Sequence, residues 1–210
     1  MTDEADPAKL RGIVSQPNPG LTPLMLNHAA WVTHDVEATA DFFTRIMGME
    51  LASTVYDDRV PCTGDEFPYF HIFFGMQDGS TTAFCEAIGL PDRAPVTHPA
   101  YDVFDHIALE ATDAAEVERW AEWLRANDVD VIGPVDHKGL IYSIYFHDPN
   151  GLRMEITTPL DRAWNRHTEQ GYADLEAWCG TKKEAISEGR DVGKALLALI
   201  RNKRKRYSLE

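Results

Sequence analysis

The pattern H-x-A-x-x-x-x-D occurs twice in this chain, as HAAWVTHD at residues 28–35 and as HIALEATD at residues 106–113. A repeated local pattern means that one supersecondary unit is built twice, which restricts the fold more than any bulk property does. The residues after each copy also run in parallel. Asp35 stands where it would cap a helix reaching about residue 47, with Phe42, Phe43 and Ile46 as its apolar stripe and Gly48 as its stop. Asp113 likewise precedes a helix over residues 114–126 with Val117, Trp120, Ala121 and Leu124 facing inward. Strand patterns lie before each helix, at 26–32 and 104–110, and three more come after it, at 50–55, 70–74 and 81–87 and again near 129–132, 141–147 and 152–158. Gln77-Asp78-Gly79 and Asp148-Pro149-Asn150-Gly151 supply tight turns, because Pro presets φ and Gly or Asn accepts positive φ. The prediction is an α+β fold of two βαβββ modules, residues 26–88 and 104–159, forming one domain as a curled mixed sheet around one cleft. Residues 1–25 form a polar, Pro/Gly-punctuated arm, and 89–101, with three prolines, has linker composition. Residues 160–210 alternate polar and apolar at helical spacing. Two helices are expected there, packing on the domain or on a partner subunit of a homo-oligomer.

Superposing the modules aligns their last strands, and each half then offers one His on its first strand and one Glu on its last: His28 with Glu86, His106 with Glu155. Each His shares its strand face with a small residue, Ala30 or Ala108, which leaves room for something else. Burying a lone carboxylate on so apolar a strand is expensive, so Glu155 faces water or has a positive charge beside it. Imidazole and carboxylate ligands suit Fe(II), Mn(II), Ni(II) or Zn(II). Cys85 lies on the opposite side of the pleat from Glu86 and reads as core filler. His34, His98, His147 and His167 have no repeat partners and read as surface or loop residues, with His147 on the same strand face as Tyr145. There is no Gly-rich phosphate loop and no nucleophile elbow.

Charge narrows the partners. The chain carries 34 Asp and Glu against 20 Lys and Arg, a formal net charge of −14, which argues against nucleic acid or an anionic membrane as the main partner. The cations concentrate late: from Thr181 onward there are 9 Lys and Arg against 4 Asp and Glu, leaving 11 against 30 before it. A solvated helix end accounts for the RNKRKR run at 201–206. Cys62, Cys85 and Cys179 are odd in number, with no zinc-type spacing, and no apolar run approaches a membrane span. The expectation is a cytoplasmic protein.

Residues 135–155, VDHKGLIYSIYFHDPNGLRME, carry the most specific string in the chain. They place Val135 and His137, then Ile144-Tyr145, Asp148-Pro149, Gly151 and finally Glu155 as in type I extradiol ring-cleavage dioxygenases. Over residues 26–159 the chain resembles the vicinal oxygen chelate superfamily, which includes those enzymes, glyoxalase I, fosfomycin-resistance enzymes and bleomycin-binding proteins. The resemblance implies paired βαβββ modules forming a cup around one divalent ion, with ligand positions at His28, Glu86, His106 and Glu155. For an extradiol enzyme it implies Fe(II) on His28, His106 and Glu155, Tyr145 hydrogen-bonded to a substrate hydroxyl, and His137 steadying the phenolate. A small aromatic substrate and dioxygen would be the partners. The acid–base His of those enzymes aligns near Ser80, and His71 on the preceding strand is the candidate to replace it. A glyoxalase-like isomerase or lyase, working through an enediolate, would instead use Glu86 as a fourth ligand. A metal-free binding module is the third reading. Phe84, Tyr145, Tyr69 and Phe73 are the expected pocket walls, suited to an aromatic ligand.

Overall fold

Both first strands run into a helix through an aspartate. The side chain of Asp35 accepts from Ala38 N at 2.9 Å and that of Asp113 from Glu116 N at 2.8 Å, satisfying backbone donors that the first helical turn leaves free. The structure, a computed structural model, describes residues 21–91 and 98–207. In the first module β1 (His28–Thr33) leads into α1 (Val36–Asp41), which continues as a π-helical stretch over Phe42–Ile46 before Gly48 turns the chain at φ +66°. Then come β2 (Glu50–Arg59), β3 (Glu66–Gly75) and β4 (Thr81–Ala87). After a short helix, α2 (Pro99–Phe104), the second module repeats the order as β5 (Ile107–Glu110), α3 (Ala114–Ala126), β6 (Ile132–Asp136), β7 (Ile141–His147) and β8 (Arg153–Pro159).

The two modules share one topology. Their sheets have the orders β1-β4-β3-β2 and β5-β8-β7-β6, with β1–β4 and β5–β8 parallel and the other pairs antiparallel. This is the α+β, two-module fold expected from the repeat. The eight strands make two four-stranded sheets, however, and not one continuous curled sheet; β1 and β5 are each an edge.

Strand parity decides what the sheets bury. Ile72 and Phe74 of β3, Phe84 of β4, Ile144 and Phe146 of β7, and Met154 and Ile156 of β8 all point to the helix side. They join Phe42, Phe43 and Ile46 from the first module and Val117, Ala121 and Leu124 from the second in one core. Phe43 is its centre: fully buried, it stacks on Phe74 at 5.0 Å and lies 4.8 Å from Phe84. The modules also touch directly. The rings of Phe42 and Phe146 are 6.5 Å apart, Trp123 Nε1 donates to the Ile46 carbonyl at 2.8 Å, and Asn150 Nδ2 donates to Thr39 Oγ1 at 3.1 Å. Because both sheets give their helix-side faces to this common core, their other faces open away from it.

The largest departure from the sequence expectation lies between the modules. Pro99 does not continue a linker but opens α2, with His98 Nδ1 accepting from Ala100 N at 3.1 Å; proline suits the first helical turn because that N–H has no partner anyway. The next strand therefore starts later, and His106 sits just ahead of β5. The arm expected at 1–25 lies outside the described residues as far as residue 20. So does the middle of the linker, residues 92–97. Residues Thr22–Asp161 form one compact unit. From Arg162 onward a second unit holds α4 (Thr168–Ser187) and α5 (Val192–Tyr207), joined by an ion pair between Lys203 and Asp174. No helix among the described residues is long and apolar enough to cross a membrane.

Phe43→Ala would leave a cavity at the centre of the shared core. It is expected to lower the unfolding free energy by about 3–5 kcal/mol, measured by urea denaturation followed through tryptophan fluorescence.

Candidate functional site

On β8 the alternation that sends Met154 and Ile156 into the core turns Arg153, Glu155 and Thr157 to the open face. Glu155 pairs with Ala108 on one side and Tyr145 on the other, so it stands in the middle of its sheet. It is only 2% exposed. A carboxylate held there needs donors, and the neighbouring strands supply them. His106 Nε2 lies 2.8 Å from Glu155 Oε2, and the Tyr145 hydroxyl donates to Oε1 at 3.3 Å. The same hydroxyl is 2.9 Å from His137 Nε2, and the His106 ring meets the Tyr145 ring edge-on at 5.8 Å. Burial pushes the Tyr145 phenol above its ordinary range, and the adjacent Glu155 charge raises it further, so the group stays a donor. On its other side Tyr145 carries the Arg153 guanidinium, 4.6 Å from the ring centroid.

His137 reaches this cluster through an irregular strand. Pairing of β6 with β7 breaks between Ile132 and Val135, where Gly133 adopts φ +105° and a Cβ would sit 2.9 Å from the Ser143 carbonyl oxygen. Beyond Asp136 the chain turns, Gly139 N donating to Asp136 Oδ1 at 2.6 Å, and this holds His137 over Tyr145. The Asp148-Pro149-Asn150-Gly151 turn fixes the far end of the β7–β8 hairpin. Asp148 Oδ1 accepts from the backbone N–H groups of Asn150 and Leu152 at 2.9 and 2.7 Å, while Asn150 carries the bond to Thr39 in the first module.

The open face of the first sheet is different in kind. His28, His71 and Phe73 cluster there, with ring centroids 6.4 Å apart for the two histidines, 5.8 Å for His28 and Phe73, and 4.2 Å for His71 and Phe73. His28 Nδ1 is 2.7 Å from Asn27 Oδ1. His71 Nε2 is buried without a hydrogen-bond partner, and burial, aided by the charge of His28, lowers its pKa.

Glu86 does not join them. In the second module Ala108 pairs with Glu155; in the first the equivalent Ala30 pairs with Ala83, while Glu86 pairs with Thr33, three residues further along. An odd offset on a two-residue pleat reverses the face, so Glu86 lies on the helix side of its sheet, opposite Phe70, and away from His28. Glu86 is therefore three residues out of register with Glu155. Two companions move with it. Phe84, expected as a pocket wall, is a fully buried core residue against Trp31 at 5.7 Å, and Cys85 turns to the open face beside His71, its thiol pushed up by burial. Phe73 and Tyr69 do stand on the open face.

The structure thus gathers His106, Glu155, Tyr145 and His137 on one sheet and His28 with His71 on the other. Among the described residues no three of His, Cys, Asp and Glu converge closely enough to hold an ion within one chain. Sequence reasoning missed the role of Arg153 over Tyr145, although its position two residues before Glu155 already assigned both to one face. It also missed Asp102, which holds His147 at 3.1 Å. Tyr145→Phe would remove the hydroxyl shared by Glu155 and His137. The expected cost is about 1–3 kcal/mol of unfolding free energy, read from urea denaturation of the variant beside the parent.

Comparison with known proteins agrees with this fold. Residues 25–156 match the Glyoxalase/Bleomycin resistance protein/Dioxygenase superfamily. The chain is similar to a metapyrocatechase of Pseudomonas sp. strain CF600, 26% identical over 153 residues; the match covers 70% of this chain and only 43% of that enzyme. Among solved structures, the glyoxylase/bleomycin resistance protein/dioxygenase domain from Frankia sp. EAN1pec matches with a TM-score of 0.53 at 12% identity, covering 66% of this chain and 99% of that one. A mutant of the fosfomycin resistance protein FosX from Listeria monocytogenes, complexed with Mn(II) and 1S,2S-dihydroxypropylphosphonic acid, matches with a TM-score of 0.48 at 21% identity over 69% of this chain and 98% of its own. On the match across residues 25–156, and with two βαβββ modules in place, the chain belongs to the glyoxalase, bleomycin resistance protein and dioxygenase superfamily.

Proposed function

We propose that the chain is a metal-dependent extradiol-type dioxygenase that opens the ring of a catechol-like aromatic, with His106 and Glu155 as two of its three metal ligands. The observation that carries this reading is the buried Glu155 carboxylate, held 2.8 Å from His106 and backed by Tyr145 and His137. Two ligands occupying neighbouring positions on one ion, with bonds of about 2.0–2.2 Å, have donor atoms roughly 3 Å apart, so the pair fits an ion with little movement. Its donor set, imidazole and carboxylate without sulfur, favours Fe(II) over Mn(II), Ni(II) and Zn(II) for oxygen chemistry. Held by two imidazoles and the Glu155 carboxylate, an Fe(II) ion would supply the binding of a catechol's vicinal oxygens and of dioxygen.

The third ligand in this reading is His28 from a second copy of the chain. Its own sheet turns His28 away from the shared core, as the second sheet turns Glu155, and both β1 and β5 offer a free edge. A two-fold pair of chains would lay β1 of one along β5 of the other and make two sites at once. Within each site Tyr145 donates its hydroxyl hydrogen to a substrate oxygen, and His137, 2.9 Å behind, keeps that hydroxyl aimed. His71, carried beside His28, is the group placed to take a substrate proton. In the overall reaction the ring carbon–carbon bond next to the hydroxyls breaks and both atoms of dioxygen enter the product, so no outside reductant is consumed. A glyoxalase-like isomerase or lyase would need Glu86 as a fourth ligand, and the face on which Glu86 lies favours the three-ligand site.

Protein purified without oxygen is expected to hold about one Fe(II) per chain and to consume oxygen with catechol while a yellow ring-opened product accumulates; Glu86→Ala should keep both properties. Nickel or zinc as the native metal, with no oxygen uptake, would overturn the proposal. The two-chain site is tested separately. His28→Ala and Glu155→Gln should each be inactive alone, and co-refolding them in equal amounts should restore about a quarter of the parent activity, the share of sites that draw an intact residue from each parent. No recovery in a mixture shown to contain heterodimers would refute the shared site.

A further inference from the structure

We propose that Arg153 and the cavity beside His106 form a carboxylate-binding subsite, so that the ligand of this site is an aromatic acid. The inference builds on the reading of His106 and Glu155 as the reaction centre and adds the substituent that the substrate carries. Arg153 precedes Glu155 by two residues and so shares its face, opposite His147 in the pairing of β7 with β8. Its guanidinium lies over the Tyr145 ring at 4.6 Å, which fixes one face of the planar group and leaves its in-plane N–H donors as the free edge. Its Nε is buried and has no hydrogen-bond partner, and no carboxylate among the described residues forms an ion pair with Arg153. In a chain with 34 carboxylates and 20 Lys and Arg, a cation left without one on the functional face calls for an acceptor from elsewhere.

The space for that acceptor is present. A cavity of about 480 Å³ is lined by Arg153 and His106 together with Trp31, Tyr101, Asp102 and Asp105. A single aromatic ring fits between the aromatic walls, with its carboxylate in the fork of Arg153 and its other end toward His106. The two aspartates limit the charge of the ligand. Asp102 is engaged by His147 at 3.1 Å, while Asp105 is exposed, so one carboxylate is accommodated and a more highly charged anion is repelled.

The test uses the full chain treated with chelator, with benzoate and its neutral isostere benzamide as probes and affinities from ligand-observed NMR. The parent protein should bind benzoate at least about tenfold more tightly than benzamide. Arg153→Gln should erase that preference and Arg153→Lys should keep part of it, with circular dichroism confirming that both variants fold. Equal affinities for the two probes in the parent protein, which need no variant, would overturn the subsite, as would an unchanged preference in Arg153→Gln. Neither metal nor turnover enters this readout. A benzoate preference without oxygen uptake would leave the subsite standing and remove the dioxygenase reading, and oxygen uptake without the preference would do the reverse.

Discussion

A carboxylate buried in the middle of a sheet is the constraint on which the second module depends. Glu155 sits between Ala108 and Tyr145 on a strand whose opposite face is core, where an unpaired charge would be prohibitive. Everything near it answers that cost. Ala108 is small enough to let the His106 ring approach, the Tyr145 hydroxyl donates to the second oxygen, and the break in β6 at Gly133 brings His137 against Tyr145. A sheet arranged this way gives up apolar packing on one face, and it keeps its stability through the core on the other.

The repeat is faithful in backbone and unequal in chemistry. Both modules have the same strand order, the same parallel pairing of first and last strands, and the same aspartate cap. At the position corresponding to Glu155 the first module has Ala83, fully buried, and its open face carries an aromatic cluster of His28, His71 and Phe73 in place of a charge network. The first sheet thus offers imidazoles and apolar walls, and the second offers the carboxylate and the hydrogen-bond donors. A reaction that needs both draws on two sheets, which is why the way modules meet matters as much as what each one holds.

Much of this was legible in the residues. The H-x-A-x-x-x-x-D repeat, the aspartate caps and the Asp148-Pro149-Asn150-Gly151 turn are local signals, and local backbone preference produces them wherever they occur. Strand parity placed Tyr145 on one face of its strand and Arg153 with Glu155 on one face of theirs. Glu86 shows where such reading fails: aligning the last strands of the two modules puts it level with Glu155, and a three-residue offset is invisible to composition yet reverses the face of every side chain on the strand. Pro99 shows another failure, since the same residue breaks a helix interior and opens a first turn, and only its neighbours decide which.

By itself, then, the sequence determined the two-module order, the helix starts after Asp35 and Asp113, the hairpin and which side chains share a strand face, because these come from short-range preferences and a period of two. Only the tertiary structure decided that Glu86 faces the helices, that the two sheets share one core through Phe42, Phe43 and Phe146, and that His28 and Glu155 lie on the open faces of two separate sheets. Those outcomes depend on register between strands distant in sequence and on which apolar faces meet. Hydrophobic burial is non-directional and selects them only when the whole chain is assembled.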